Sequence, residues 1–318
     1  METILTFLRL TEAEREAFRA AAPDYEHLFR PVPTQVGSAH TATAEELARA
    51  TVIMGCPPPE ALKDCKSLKW LQAWSAGVDA YLAPGILPEG VLLTSAVGSY
   101  GHAVSEHMLS AVLALMKRLP TLRDAQTGRR WDKVETVQTM QNAVVLLLGV
   151  GDIGSHFAQK ARALGARTVG LSRHPERPVD GVEELHPFAE LDRWLPQVDV
   201  VAMSLPSTPE TRHLMNGHRL ALMKDTAILV NAGRGDGVDC RALAETLKAG
   251  RLWGAALDVT EPEPLPEDHP LWECENLLLT PHSAGGDRMD ATIRRIVALS
   301  LDNLKRYLAG EELRNRMK

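Results

Sequence analysis

The sequence predicts an α/β protein with two domains, each built around a parallel β-sheet. Short apolar runs alternate with helical patterns along nearly the whole chain, which is the pattern that βαβ units produce. The length of 318 residues suggests about two domains and allows a large buried core. The apolar run from Ala143 to Leu148 is short and uninterrupted, as expected for a strand that is buried on both faces of a parallel sheet.

The composition narrows the class of protein and its partners. Apolar residues make up 45% of the chain and charged residues 24%, as in an ordinary globular protein. The net charge of −6 and the lack of a basic block argue against nucleic acid as a partner. The N-terminal apolar run is too short for a signal peptide or a membrane span, which favours the cytoplasm and no membrane partner. The cysteines show no metal-binding spacing, so we expect reduced thiols and no metal: Cys56, Cys65, Cys240 and Cys274.

The N-terminal part of the chain predicts a small sheet with helices between its strands. Thr11 with Glu14, and Thr43 with Glu46, have the spacing of capping boxes and predict the starts of two helices. The first of these helices is expected to end before Pro23. The predicted strands are Ile4 to Leu8, Thr51 to Met54, Leu68 to Trp74 and Val91 to Thr94.

The remainder of the chain predicts a larger sheet between two long helices. Gly101 to Leu119 is rich in Ala, Leu and Met and predicts a helix that stops near Pro120, before a loop from Thr121 to Gln141. A second helical pattern runs from Asp287 to Leu308 and could return to the first domain. The predicted strands are Ala143 to Leu148, Arg167 to Leu171, Val198 to Ala202, Ala227 to Val230, Gly254 to Leu257 and Asn276 to Leu279.

A glycine-rich turn joins the first of these strands to a helical pattern. Gly149 allows a tight turn, Gly151 lets the backbone approach a pyrophosphate, and Gly154 lets the helix pack against the strand. Asp152 and Ile153 lie at the helix N-terminus, where unpaired N–H groups attract phosphate. The G-x-G-x-x-G spacing also occurs in plain turns, but the strand before it and the helix after it favour a dinucleotide site.

These patterns together define the expected domains. We predict a doubly wound, Rossmann-type dinucleotide-binding domain at residues 101–282. A smaller, flavodoxin-like parallel α/β domain would be discontinuous, at residues 1–100 and 283–318.

The end of the next strand predicts which dinucleotide binds. An NAD enzyme usually has Asp or Glu about 20 residues past the glycines, where it binds the ribose 2′-hydroxyl. Here the strand ends in Ser172 and Arg173, and this guanidinium could pair with a 2′-phosphate, with help from Ser172 or Arg177. We therefore predict a preference for NADP(H) over NAD(H). The alternative is that Arg173 is solvated and Glu176 takes the role of the acid.

Three polar stretches follow the ends of predicted strands, where a doubly wound sheet binds its ligands. They are Asn231 to Gly235, Asp258 to Leu265 and Thr280 to Gly286. With these stretches the chain resembles the D-isomer-specific 2-hydroxyacid dehydrogenases, of the glyoxylate and hydroxypyruvate reductase kind. The resemblance covers almost the whole chain and includes these further segments: Ala76 to Asp79, Glu106 with His107, Leu205 with Pro206, and Thr208 to Thr211.

The resemblance assigns the chemistry to Arg234, Glu263 and His282. It implies that His282 donates a proton when a 2-oxo acid is reduced, and that Glu263 holds the imidazole and favours its charged form. Arg234 would bind the substrate carboxylate and carbonyl through its planar fork. Glu261 is a near competitor, but only Glu263 is followed directly by Pro-Leu, as in the family. Each residue alone could be an ordinary surface or turn residue, so the prediction depends on the combination.

Further contacts are implied for the cofactor and the substrate. Asp258 resembles the residue that binds the nicotinamide amide, although a turn cap is the alternative. With the fingerprint, the predicted cofactor contacts are Gly149, Gly151, Asp152, Ile153, Gly154, Ser172, Arg173, Leu205, Pro206, Thr211, Ala232 and Asp258. The predicted substrate contacts are Tyr100, which could instead be a packing residue, and the backbone N–H groups of Ala76, Gly77 and Val78. The 76–78 turn lies in the domain that does not carry the cofactor, so that catalysis needs a closed cleft. Further candidates, which could instead be packing residues, are Trp74, His102 and Trp131.

The prediction is an oxidoreductase that interconverts small 2-oxo acids and D-2-hydroxy acids with NADP(H). The resemblance also implies a homodimer, with the long helices packed across its two-fold axis. A second interpretation is a dinucleotide-sensing scaffold, like the transcriptional corepressors that resemble this family, but all three catalytic positions are filled here. A third keeps the fold and oxidises formate or phosphite instead. The segment from Ala96 to Tyr100 differs from the family's usual Asn-containing turn, which leaves the substrate open.

Overall fold

The computed structural model describes residues 1–31, 42–285 and 289–318. It divides into two compact units, Met1–Tyr100 with Asp287–Lys318, and Gly101–Gly286. Residues 283–285 group with the second unit, in which the backbone N–H groups of Ser283 and Ala284 donate to the Asp258 carboxylate.

The strands are short, as is typical of parallel α/β sheets. They are β1 (Thr3–Thr6), β2 (Glu26–Phe29), β3 (Val52–Met54), β4 (Trp70–Gln72), β5 (Leu92–Thr94), β6 (Val144–Leu148), β7 (Arg167–Ser172), β8 (Glu184–Pro187), β9 (Val200–Met203), β10 (Ile228–Asn231), β11 (Gly254–Leu257) and β12 (Leu277–Leu279). The helices are α1 (Glu12–Ala21), α2 (Ala44–Arg49), α3 (Asp79–Leu82), α4 (Gly101–Met116), α5 (Leu119–Thr127), α6 (Asp152–Ala163), α7 (Leu191–Trp194), α8 (Gly217–Leu222), α9 (Cys240–Lys248) and α10 (Asp290–Ala309).

The first unit contains a five-stranded parallel sheet in the order β2-β1-β3-β4-β5. This is the flavodoxin-like order, and the prediction of that fold is confirmed. Both capping boxes form as predicted, at Thr11 and at Thr43. A buried polar network joins α10 to the sheet, because Asn303 Nδ2 and Thr94 Oγ1 both donate to Gln72 Oε1 at 2.8 Å. The C-terminal helix therefore belongs to the core of this unit.

The second unit contains a seven-stranded parallel sheet in the order β12-β11-β10-β9-β6-β7-β8. The strand order reverses between β6 and β9, which confirms the doubly wound fold and marks the crevice where such sheets bind ligands. Strand β6 is buried on both faces, with Val145, Leu146, Leu147 and Leu148 at 0% exposure. Among the described residues, no helix is both long and apolar enough to cross a bilayer.

The long helix at the start of this unit is shorter than predicted. It ends at Met116, because Arg118 adopts a left-handed conformation with φ 55°. Pro120 does not stop a helix; it lies in the first turn of α5, where its missing N–H costs no hydrogen bond. The predicted loop from Thr121 to Gln141 therefore begins with helix, and this expectation was wrong.

Other differences concern the ends of elements. Leu68 to Trp74 forms a strand only at Trp70–Gln72, and the first strand begins at Thr3 and ends at Thr6. The last helix extends to Ala309 and ends at Gly310, whose φ of 68° suits glycine. The predicted first residue of that helix, Asp287, and the last residue of the third polar stretch, Gly286, lie outside the described residues.

Candidate active site

The glycine turn lies at the switch point of the second unit, between the carboxyl ends of β6 and β9. Gly149 has a φ of 96°, which other residues rarely adopt. A Cβ atom on Gly154 would lie 2.0 Å from the Gly149 carbonyl oxygen, so α6 packs directly against the turn. A Cβ atom on Gly151 would meet no atom within 4 Å. Open space therefore adjoins the backbone at Gly151 and not at Gly154.

The N-terminus of α6 has the features that a pyrophosphate needs. Within the described residues, no side chain caps this end of the helix. Asp152 is the one acidic residue of its first turn, and its carboxylate Oδ1 lies 3.4 Å from His156 Nδ1. The uncapped N–H groups and the space at Gly151 thus fit the phosphates of a dinucleotide, and Ile153 lies in the same turn.

The carboxyl end of β7 presents a cation. Arg173 is exposed, and Ser172 Oγ accepts a hydrogen bond from the backbone N–H of His174 at 3.0 Å. A hydrogen bond from Thr208 and the charge of Arg173 hold the pKa of Glu210 below its ordinary value. Arg173 is the group that the sequence assigns to a 2′-phosphate, and this assignment stays a prediction.

The alternative acid, Glu176, is engaged elsewhere. Its Oε1 atom lies 3.5 Å from His174 Nδ1 and 3.7 Å from Arg177 Nε. The end of β7 thus offers a cation with no acid in the segment from Ser172 to His174.

The loop after β9 is a compact turn that packs on the loop after β10. Thr211 Oγ1 donates to the Pro206 carbonyl at 2.7 Å and accepts from the Thr208 N–H at 2.8 Å. A Cβ atom on Gly233 would lie within 2.7 Å of the backbone of Leu205. The two loops are therefore in backbone contact beside the glycine turn.

A buried asparagine shapes the turn that carries Arg234. Asn231, at the end of β10, is 1% exposed; its Oδ1 accepts from Gly233 N at 3.0 Å and its Nδ2 donates to the Arg234 carbonyl at 2.9 Å. Asn231 had no predicted role of its own, although Asn two residues before Gly is a signal of such a turn. Ala232 N donates to the Met203 carbonyl at 3.1 Å, which anchors the turn to β9.

Glycine also brings the Arg234 turn against the loop that follows β11. A Cβ atom on Gly235 would lie 2.0 Å from the Thr260 carbonyl oxygen. This loop carries both candidate acids. Glu261 binds Arg212 and His213, each at 2.6 Å, whereas Glu263 Oε1 lies 2.7 Å from His282 Nδ1. The geometry therefore pairs His282 with Glu263 and not with Glu261.

The segment that carries His282 has an unusual backbone conformation. His282 has a φ of 50°, in the left-handed region that non-glycine residues rarely adopt. Its backbone N–H donates to the Asp258 carbonyl at 2.8 Å and to the Thr280 carbonyl at 3.0 Å. The imidazole is 52% exposed and the Glu263 side chain 41% exposed. A strained, anchored backbone thus presents an accessible imidazole beside a carboxylate.

Asp258 acts as a cap in the structure. Its carboxylate is nearly buried and accepts hydrogen bonds from Thr280 Oγ1 at 2.6 Å, Ser283 N at 2.9 Å and Ala284 N at 3.0 Å. This is the alternative role that the sequence left open, and the contact with a nicotinamide amide stays a prediction. A cavity of about 260 Å³ adjoins it, lined by residues of α4 and of the carboxyl ends of β10, β11 and β12.

The first unit holds the predicted substrate contacts. In the described part of the chain, the backbone N–H groups of Ala76, Gly77 and Val78 donate no hydrogen bond. Ser75 Oγ donates to the Gly77 carbonyl at 2.7 Å and shapes this turn. Tyr100 donates its hydroxyl proton to the Trp74 carbonyl at 2.6 Å, so that group is already engaged. Binding of the substrate carboxylate by this turn stays a prediction.

Two other aromatic candidates lie in the second unit. His102 Nε2 lies 3.0 Å from His156 Nε2 on α6. Trp131 is 97% exposed and lies beyond α5. Neither position is explained by packing in a core, and their role in substrate binding stays a prediction. No group of three or more potential metal ligands occurs within the described ranges.

Comparison with known proteins identifies the family. Residues 109–284 match the model of the D-isomer specific 2-hydroxyacid dehydrogenase NAD binding domain. A glyoxylate reductase of Thermofilum pendens is 34% identical over 260 residues, which cover 79% of this chain and 75% of that protein.

Two solved structures cover all of this chain and 98% of their own. A D-isomer specific 2-hydroxyacid dehydrogenase of Xanthobacter autotrophicus, in complex with NADPH and MES, is 30% identical with a TM-score of 0.79. An NADPH-dependent glyoxylate/hydroxypyruvate reductase of Sinorhizobium meliloti, in complex with NADP and sulfate, is 26% identical with a TM-score of 0.79. This chain therefore belongs to the D-isomer-specific 2-hydroxyacid dehydrogenase family and is one of its NAD(P)-dependent enzymes.

Proposed function

We propose that this enzyme uses NADPH to reduce a small 2-oxo acid, of the glyoxylate and hydroxypyruvate class, to the D-2-hydroxy acid. The observation that carries the proposal is the 2.7 Å contact between His282 Nδ1 and Glu263 Oε1. It lies at the same sheet edge as the Arg234 turn and the glycine turn. Residues 101–282 would then serve the cofactor, and residues 1–100 with 283–318 the substrate.

His282 is the proposed proton donor. When bound, the reduced nicotinamide supplies the hydride that reaches the keto carbon, and the carbonyl oxygen takes up a proton. Glu263 accepts a hydrogen bond from the Nδ1–H group of His282, which orients the ring and leaves Nε2 to hold the transferable proton. A general acid of this kind contributes about 10²–10⁴-fold to the rate.

Arg234 is the proposed electrophile and anchor for the substrate. A guanidinium binds a carboxylate through two parallel hydrogen bonds and stabilises charge on a carbonyl oxygen. The turn built by Asn231 and Gly235 fixes the backbone of Arg234 beside the loop of Glu263. In this proposal the open N–H groups of Ala76, Gly77 and Val78 also bind the substrate carboxylate.

A panel of 2-oxo acids tests the substrate class. The fall in NADPH absorbance is followed with glyoxylate, hydroxypyruvate, pyruvate and larger 2-oxo acids. In a separate assay with NADP⁺, the rise in NADPH absorbance is followed with formate or phosphite as the hydride donor. We expect turnover with glyoxylate and hydroxypyruvate to exceed that with pyruvate and the larger acids. Tight NADPH binding without turnover of any acid would contradict the proposal and favour a sensing scaffold, and turnover of formate or phosphite alone would replace it.

The preference for NADPH rests on the end of β7. Ser172 and the exposed Arg173 stand where an NAD enzyme has its acid, and the Xanthobacter relative binds NADPH. The double variant Ser172→Asp, Arg173→Ala should invert the NADPH/NADH ratio of kcat/KM. Glu176→Gln is the matched control and should leave the ratio within about twofold, because Glu176 pairs with His174 and Arg177. An unchanged ratio in the double variant would exclude this basis for selectivity.

The homodimer also remains a proposal. The chain exposes Leu119 (52%), Trp131 (97%) and Val137 (50%) on and after α5. A homodimer with the helices near Gly101 to Leu119 packed across its two-fold axis should sediment at about twice the monomer mass of 34.8 kDa, whereas a single species of that mass would contradict it.

A further inference from the structure

A histidine outside the proposed catalytic set contacts the segment that carries His282. His107, on α4, has its Nε2 atom 3.0 Å from Thr280 Oγ1. Thr280 Oγ1 donates its proton to Asp258 Oδ1 at 2.6 Å, so its oxygen can only accept from His107. His107 Nε2 therefore carries a proton and donates it, which fixes the tautomer of a neutral ring.

Asp258 connects Thr280 to the backbone around His282 through its own hydrogen bonds. Its carboxylate holds the N–H groups of Ser283 and Ala284, and its carbonyl accepts from the His282 N–H at 2.8 Å. These bonds maintain the left-handed conformation of His282, which for a non-glycine residue is intrinsically unfavourable. The orientation of the imidazole toward Glu263 thus depends on where Asp258 is held.

Thr280 and His107 limit the movement of the Asp258 carboxylate. The His107 side chain is 30% exposed, and its Nε2 lies 3.8 Å from Asp258 Oδ1, which is too long for a direct hydrogen bond. The threonine hydroxyl is therefore the link, because it accepts from one partner and donates to the other. Without the His107 donor, the threonine rotamer loses one of its two hydrogen bonds, so the hydroxyl holds the Asp258 carboxylate less firmly.

We propose that His107 is a positioning residue for His282 and acts through Thr280 and Asp258. The inference rests on the proposed role of His282 as the proton donor. His107 itself touches neither His282 nor Glu263 in the described structure. Its effect falls mainly on kcat, because the proton moves in the transition state, whereas the phosphates of the dinucleotide are placed at the glycine turn.

Variants of the relay test this inference. His107→Leu removes the donor, whereas His107→Gln places an amide N–H at a similar reach. Thr280→Val removes the hydroxyl with little change in volume, and Thr280→Ser keeps it. We expect His107→Leu and Thr280→Val to lower kcat about threefold to tenfold, which is the fold-change of one neutral hydrogen bond. His107→Gln and Thr280→Ser should keep most of the natural kcat. His218→Leu, an exposed histidine on α8, is the matched control and should leave kcat unchanged.

The His282→Ala background separates a positioning role from a structural one. Each variant is measured with NADPH and glyoxylate for kcat, for KM and for the Kd of NADPH. We expect His107→Leu to lower kcat in the natural chain and to change it less than twofold in the His282→Ala background, with the Kd of NADPH within twofold throughout. An equal loss in both backgrounds, or a lower melting temperature with unchanged kcat, would overturn the inference. Full activity of His282→Ala alone would instead refute the proposed proton donor, so the two failures are distinguishable.

Discussion

Two alanine substitutions in the glycine turn should have opposite effects on folding and on cofactor binding. In Gly154→Ala the new Cβ atom would lie 2.0 Å from the Gly149 carbonyl oxygen. In Gly151→Ala it would enter space with no atom within 4 Å, and the φ of −76° at this residue suits alanine. The first substitution therefore disturbs the fold, and the second only occupies the space where we place the pyrophosphate.

The distances set the size of each effect. Real Cβ contacts essentially never fall below 3.0 Å, so α6 must move about 1 Å away from the turn in Gly154→Ala. Overpacking of this kind costs about 1–3 kcal/mol, which lowers the melting temperature of a unit of this size by roughly 2–12 °C. Gly151→Ala should change stability by less than about 0.5 kcal/mol but weaken dinucleotide binding at least about tenfold, since the methyl group keeps the phosphates from the backbone N–H groups.

Thermal unfolding and titration of NADPH fluorescence measure the two effects on the same samples. Gly217→Ala, at the start of α8, is a control, because its Cβ atom would meet only Ala242 Cβ at an ordinary 3.6 Å. We expect it to change neither quantity by more than the error. Unaltered NADPH affinity in Gly151→Ala would refute the placement of the pyrophosphate at this turn, and unaltered stability of Gly154→Ala would refute the packing argument.

Three further predictions concern stability. Asn303→Leu removes a hydrogen-bond donor to Gln72 Oε1 in a fully buried network. The free energy of unfolding, measured in urea, should fall by about 1–3 kcal/mol, and a loss below about 0.5 kcal/mol would contradict this. Burial raises the pKa of Glu14, but hydrogen bonds from Arg294 and from the start of α1 outweigh it, so the net pKa lies below the ordinary 4.5. The stabilisation by Glu14 is therefore present above pH 4.5 and is lost as the pH falls further. The melting temperature of the natural chain should exceed that of Glu14→Gln by a margin that shrinks below pH 4. A margin that is constant from pH 6 to pH 3.5 would refute the assignment. Burial lowers the pKa of His269 from 6.5, so the unfolded chain binds this proton more readily and the free energy of unfolding should fall as the pH drops below 6.5. In His269→Gln the free energy of unfolding should depend less steeply on pH in this range. An identical dependence in the variant and the natural chain would contradict this prediction.

The sequence predicted the sheets well where strands are buried on both faces. Runs such as Val144–Leu148 and Ile228–Asn231 are almost purely apolar, so they stand out from their surroundings. The strands that were not predicted, Glu26–Phe29 and Glu184–Pro187, are edge strands that are only half-buried and contain Glu and His. Their pairing depends on the neighbouring strand and not on a local pattern.

At the candidate site, local spacing predicted residue types, and the pairing of His282 with Glu263 was predicted only through the family resemblance. Two glutamates in one proline-rich loop could not be distinguished by spacing alone, and the structure separates them by giving Glu261 to Arg212 and Glu263 to His282. The contact between His107 and Thr280 joins residues 173 positions apart in the chain. A periodic pattern in the sequence cannot predict a contact between residues so far apart, because the contact forms only when α4 packs on the sheet.

The most direct test of the account is the rate of a single turnover with NADPH and glyoxylate in the wild-type enzyme and in His282→Ala. If His282 is the proton donor that Glu263 orients, the rate should fall about 10²–10⁴-fold while the Kd of NADPH stays within twofold. A His282→Ala enzyme that reduces glyoxylate within about threefold of the wild-type rate would contradict the proposed chemistry.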